Sequence, residues 1–312
     1  MTLFLRHWSA DPVVLTGYVI VAVVHLRGLR ALVRPPDDGL HAALRREAIL
    51  FQCGWAVVLL ALVSPLGYWS SKYAWAHVTQ DVIAAGVAAP LLVLGAPWVA
   101  LRWGVPWGHP AAAAMRSGGP GRRGPRGLPR EARSLAGPVA ATVVFNATWI
   151  GWHMPQAYDP TVRSAAVHYI AFAMFLGSAV LLWLQLVGSR PWSPSLPPVG
   201  RIPLVFFSGA ANFVLVMVLA FSPSALYPAY AGMTHGGLPA SADQQFAGAI
   251  IWVGLEPTFI VLMTFAAYWW LREQDEDPTY GLAGLLRRRT SGWDSPLSLG
   301  IPMGNKNRHP VR

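Results

Sequence analysis

Charged side chains are scarce in this chain. Asp, Glu, Lys and Arg make up 12% of its 312 residues, about half of the roughly 25% found in soluble domains. A water-soluble body of this size cannot cover its surface with so few charges, which excludes the soluble classes. Cysteine is nearly missing too. A lone Cys53 excludes an internal disulfide framework and every multi-cysteine metal motif. Carboxylates are outnumbered, 14 against 24 Lys and Arg, for a formal charge of +10. The excess sits in two connecting stretches and a tail, always beside apolar runs. That placement suits anionic lipid headgroups and speaks against a nucleic-acid partner. There is no Walker loop, no dinucleotide glycine turn, no HExxH and no serine nucleophile elbow. No internal repeat is visible. The apolar run at 12–26 lacks a small-residue cleavage site and is followed by Arg27 and Arg30, so a retained first span is expected instead of a cleaved signal.

Apolar residues, by contrast, are abundant: 54% of the chain, with 15 Trp and 27 Pro and a mean hydropathy of +0.40. A helix needs roughly 20 apolar residues to cross about 30 Å of hydrocarbon. Seven stretches qualify: 12–33, 48–68, 77–101, 135–153, 165–187, 202–221 and 246–271. The expectation is an all-α integral membrane protein, a bundle of seven transmembrane helices over residues 1–272. A flexible cytoplasmic loop at 104–134 and a largely disordered cytoplasmic tail at 273–312 complete it. With these spans, 21 of the 24 Lys and Arg fall on one side and only Arg6, Lys72 and Arg163 on the other. The positive-inside rule then puts the N-terminus outside and the C-terminus in the cytoplasm. Pro90 and Pro97 in the third span, and Pro257 in the seventh, are expected to kink or locally unwind their helices.

The histidines sort unevenly under this topology. His41, His109 and His309 fall in cytoplasmic segments, His25 lies in the inner half of the first span, and His7 precedes it outside. His77, His153, His168 and His235 all fall at outer span ends or in the last outer loop. His77 and Asp81 are one turn apart and share a helix face. Met154 follows His153, and Met233 accompanies His235. Imidazole with thioether or carboxylate suits copper, whereas the thiolates of a structural zinc site are missing. The ordinary alternative is that these imidazoles anchor at the interface, as Trp and Tyr do; Trp149, Trp152 and Trp252 read as belt or core residues. Cys53 reads as a small buried residue. Glu256, in the middle of the seventh span, needs a partner or a water cavity. It serves either proton or ion handling or a hydrogen bond to Asn212 or Asn146 that locks the bundle.

Three stretches together carry a resemblance. The first runs from Ser64-Pro65-Leu66 through His77-x-x-Gln80 to Ala89-Pro90-Leu91-Leu92-x-x-Gly95-Ala96-Pro97. The second is Trp152-His153-Met154-Pro155 with Tyr158 and, further on, His168. The third is Asp243-Gln244-Gln245-x-Ala247-Gly248 followed by Trp252. The pattern, over about residues 10–272, resembles the multi-spanning CtaG family of cytochrome c oxidase assembly factors, which is distinct from the single-span copper chaperone of the same name. The resemblance implies a non-enzymatic, multi-pass protein of the bacterial plasma (inner) membrane, needed to make a respiratory haem–copper oxidase. It implies oxidase subunits as partners and copper as the metal placed in them. It carries the family's histidines onto His77, His153 and His168 and its Asp-Gln-Gln element onto Asp243, Gln244 and Gln245. Asp81 stands where a second histidine is expected, a harder ligand that weakens Cu(I) binding. The expected metal site is therefore His77, Asp81, His153 and His168 with Met154. Two rivals stand beside it: a transporter using Glu256, and a redox protein holding b-type haem through histidines deep in the membrane.

Overall fold

The computed structural model describes residues 6–32, 38–105, 135–231 and 238–276. The expected loop at 104–134 and tail at 273–312 lie outside these, apart from their first residues, as do Met233 and His235. Among the described residues every regular element is a helix. In chain order the α-helices are α1 (Pro12–Leu32), α2 (Asp38–Val63), α3 (Pro65–Ser70), α4 (Ala74–Ile83), α5 (Ala89–Leu94), α6 (Trp98–Gly104), α7 (Ala136–His153), α8 (Pro155–Arg163), α9 (Ala165–Leu186), α10 (Pro198–Phe221) and α11 (Ala240–Glu276), with a π-turn at Ala84–Ala88 and a 3-10 turn at Pro228–Tyr230. Six helical stretches are long and apolar enough to cross a membrane: those at 12–32, 41–63, 74–94, 165–186, 198–221 and 240–272. The fourth expected span, α7, is not among them. It is 18 residues long, and Thr142, Asn146, Thr148 and His153 dilute its apolar character.

The surface is that of a body solvated by hydrocarbon. Large apolar side chains point outward along α1, α9, α10 and α11, with Phe221 77% and Val253 73% exposed. A soluble monomer does not carry so large an apolar surface. The centre of the bundle is the α4–α5 rod, where 61% of the most apolar stretch is buried, against 11% in the peripheral α1. Trp149, Phe145, Phe175, Tyr158, Leu182 and Ile251 belong to the main core cluster that packs around it. Two glycines bring α1 against α6. A Cβ on Gly28 would strike the carbonyl of Ala100, and one on Gly104 the carbonyl of Val24.

The expected disturbances of the third span appear at Pro90 and Pro97. Between α4 and α5 the helix widens into a π-turn at Ala84–Ala88, just before Pro90, whose missing N–H cannot serve the carbonyl four residues back. The Trp183 indole of α9 donates to the carbonyl of Ala85 in this turn at 3.0 Å. The rod then stops at Gly95, Ala96 takes a left-handed backbone (φ 41), and α6 restarts after Pro97. At Pro257 the helix does not unwind: α11 runs through it as one element. Cys53, expected to be buried, is exposed on α2, where lipid solvates a thiol without penalty. Trp149 is in the core and Trp252 is half exposed.

The chain divides into two compact units, one ending at Ala266 and the other beginning at Ala267. In the second, the described residues are the end of α11, where the Arg272 guanidinium lies 5.3 Å from the Tyr268 ring centroid.

Candidate functional site

The site is assembled by short connectors around the N-terminal end of α4. Ser64 accepts from Leu66 N (3.4 Å) and Pro65 opens α3, so the chain turns sharply back toward α4. The first backbone N–H groups of α4 have no local cap, because Tyr73 supplies none. Asp243 of α11 supplies it from afar, accepting from Ala74 N at 2.7 Å and Trp75 N at 3.1 Å. A carboxylate there also complements the helix dipole. Gln244 braces the neighbouring loop, accepting from Leu226 N at 2.6 Å and donating to Leu219 O at 3.0 Å. Asp243 therefore holds the His77 helix in place, Gln244 ties α11 to the end of α10 and the loop after it, and neither lines the cavity.

Pro155 starts α8, whose polar length carries Tyr158 and Thr161 three residues apart on one buried face. Ser164 then caps α9, accepting from Val167 N at 3.5 Å, which sets His168 one turn into that helix. His77 and His168 meet edge to face with ring centroids 4.7 Å apart. His77 is 3% exposed and His168 9%. Tyr158 stands between His77 and His153, its ring 4.8 Å from the first and 5.8 Å from the second.

Hydrogen bonding settles the imidazole tautomers. The Tyr230 hydroxyl has one proton and donates it to Ser70 O at 2.7 Å, so its 3.1 Å contact with His77 Nδ1 has the imidazole N–H as donor. Nε2 of His77 then carries a lone pair. Its neighbour, the Thr161 hydroxyl at 3.5 Å, already donates to Tyr158 O at 2.6 Å. His153 follows the same pattern: Nδ1 donates to Trp149 O at 2.7 Å, and Nε2 is buried without a partner. Burial pushes the Tyr158 phenol well above its ordinary range, helped by Tyr230, Tyr227 and Asp81. These phenols stay neutral.

A cavity of about 440 Å³ leads to this centre. His77, His168, Gln80 and Thr161 line it, with Arg6, His7, Tyr68 and Arg163 also contributing. The segment 6–9 is held across it by Ser9 N donating to Val63 O at 2.8 Å and by His7 stacked on Tyr68 with centroids 4.0 Å apart. The expected residues thus separate. His77 and His168 share the cavity, and His153 lies behind Tyr158. Asp81 is 1% exposed, does not line the cavity and has Oδ2 without a partner. Met154 is 56% exposed at the turn between α7 and α8. Among the described residues no three His, Cys, Asp or Glu side chains gather as a metal-binding group. Sequence reasoning missed Tyr230, Thr161, Ser70 and His7. The one available signal was the i, i+3 pair Tyr158 and Thr161 on a short helix.

A family model described as cytochrome c oxidase caa3 assembly factor (CtaG) matches residues 14–273. The chain belongs to this family. The match runs from within α1 to within α11, and takes in every residue that lines the cavity except Arg6, His7, Trp8 and Ser9. No curated protein matches the chain, and no solved structure does either. Glu256 of this CtaG chain is half-buried and accepts from Asn212 Nδ2 at 2.8 Å. Gly209 leaves the space in which the other carboxyl oxygen lies against α10. Of the two partners weighed for Glu256, Asn212 is the one bonded. His25, alone well inside a span, receives a bond from Gln52 at 3.0 Å and packs on Phe51.

Proposed function

We propose that the protein is a seven-span assembly factor of the bacterial plasma membrane, with its N-terminus outside, that accepts copper on His77 and His168 and passes it to a cytochrome c oxidase subunit. Membership of a cytochrome c oxidase caa3 assembly factor family supports the partner. For the seventh span, the 18 residues of α7 extend about 27 Å at 1.5 Å per residue, close to the hydrocarbon thickness. An odd number of spans also keeps 21 of the 24 Lys and Arg on one side, where anionic lipid attracts them.

The observation that carries copper is the pair of imidazoles at the base of the cavity, one with an Nε2 lone pair that no donor occupies. A pair without a third carboxylate or thiolate is too sparse for calcium, magnesium or structural zinc. It suits a softer cation held in transit, because an open coordination shell lets the next ligand displace the first. His153 offers a further nitrogen behind Tyr158. Glu256 acts as a lock between α10 and α11 through Asn212.

Metal analysis of the purified protein after Cu(I) loading and dialysis tests this. Stoichiometric copper is expected in the unaltered chain and little in His77→Ala or His168→Ala. Strains carrying those variants should make an oxidase short of copper. Full copper retention by the double variant would overturn the assignment.

A further inference from the structure

The mouth of the cavity has a charge opposite to that expected for a cation site. With the N-terminus outside, only Arg6, Lys72 and Arg163 of the 24 basic residues fall on the outer side, and all three gather here. Arg6 and Arg163 line the cavity. The Lys72 ammonium lies 5.5 Å from the ring centroid of Tyr68, which also lines it. Among the described residues no Asp or Glu does.

The carboxylates nearby offset little of this charge. Asp11 accepts from Val13 N at 2.8 Å, Val14 N at 3.3 Å and the Tyr169 hydroxyl at 2.7 Å. Asp159 accepts from Ala229 N at 3.2 Å and stands 3.8 Å from Arg163, whose side chain is 69% exposed. So loose and wet a pair leaves the guanidinium largely uncompensated. A free cuprous ion meets repulsion at such a rim, whereas an anion is drawn in and concentrated.

We infer that copper reaches the His77–His168 pair as a negatively charged Cu(I) complex, its ligands bearing carboxylate or thiolate groups, and not as the free cation. This rests on the copper reading above. The transfer is a ligand exchange: bonds from copper to the donor break, bonds to imidazole nitrogen form, and copper stays Cu(I). Nε2 of His77 already carries a lone pair, so no proton has to leave it. The stripped donor departs as an anion.

Stopped-flow uptake by the purified full chain tests the inference with two donors, the anionic bis(bicinchoninate)–Cu(I) complex and the cationic acetonitrile complex. Uptake from the anion should slow about tenfold or more from low to high salt. The Arg6→Gln, Lys72→Gln, Arg163→Gln triple variant should be slow at low salt and nearly salt-independent, yet reach the same final copper content from the cationic donor. The three sites are exposed or half-buried, and a matching thermal melt checks the fold. Added polyaspartate, a polyanion, should compete at the basic rim and slow uptake from the anionic donor. A triple variant with unchanged rate and salt dependence overturns the inference while leaving the copper reading intact. Uptake from neither donor by the unaltered chain overturns the copper reading itself.

Discussion

The free nitrogen of His77 depends on hydroxyls whose protons are already committed. Tyr230 donates to Ser70 O and Thr161 to Tyr158 O, so each presents only a lone pair to the ring. Tyr230→Phe removes the acceptor that fixes Nδ1–H. Changing such an outer partner typically costs about 10–100-fold in metal affinity. Competition for Cu(I) against a chelator should show a loss near the lower end, since the ring remains buried. Unchanged affinity would mean that Tyr230 does not set the tautomer. Residue identity pointed to His77 and His168 as candidates, because imidazoles at span ends are conspicuous. Nothing in the sequence could separate them from Asp81 and Met154. His77 and Asp81 share a stripe on an ideal helix, yet the turn between them is enough to put one in the cavity and the other outside its lining. Met154 follows His153 directly, but the extended backbone at that turn leaves it exposed.

Elements are where packing overruled local rules. Pro90 and Pro97 disrupt the third span as their chemistry requires, whereas Pro257 sits inside a continuous α11. Neighbours hold α11 there: Gly254 lies against Val82 and Gly248 against Leu219. Glu256 lies beside that proline, bonded to Asn212. If the pair is a lock, Glu256→Leu and Asn212→Leu should each cost about 1–3 kcal/mol, because each strands a polar partner, Asn212 buried and Glu256 half-buried. The double variant should then recover much of the loss. Thermal melts in detergent measure the cycle, and strictly additive losses would show that the two do not act together. The short connectors were the hardest to read. α3 and α8 are too brief for an apolar period, and only their capping residues Ser64, Pro65, Pro155 and Ser164 mark their ends.

For the whole molecule, the proposed topology turns on α7 crossing. If it does, the segment between α9 and α10 faces the cytoplasm; if it does not, that segment faces outward. A Ser193→Cys reporter in a Cys53→Ala background should resist a membrane-impermeant maleimide applied outside intact cells and label after lysis. Ser193 is exposed, so lack of access cannot mimic the result. Labelling from outside would mean that α7 does not span. Six spans are long and apolar enough without assistance. α7 relies on its neighbours, since Asn146 and its threonines weaken an isolated stretch while Phe145 and Trp149 join the core cluster.

Composition and the spacing of apolar runs determined, without help, that this chain is a helical membrane protein. Each span answers to hydrocarbon thickness and each flanking charge to lipid, and both demands are local. Sequence motifs reached the family as well. The cavity was decided only in three dimensions. His77 and His168 are 91 positions apart by their numbers, and they face each other because Asp243, from near the far end of the chain, caps the helix that carries His77. A lone pair left without a donor depends on which hydroxyl gives its proton to which carbonyl. That is set by packing between helices and leaves no pattern along the chain.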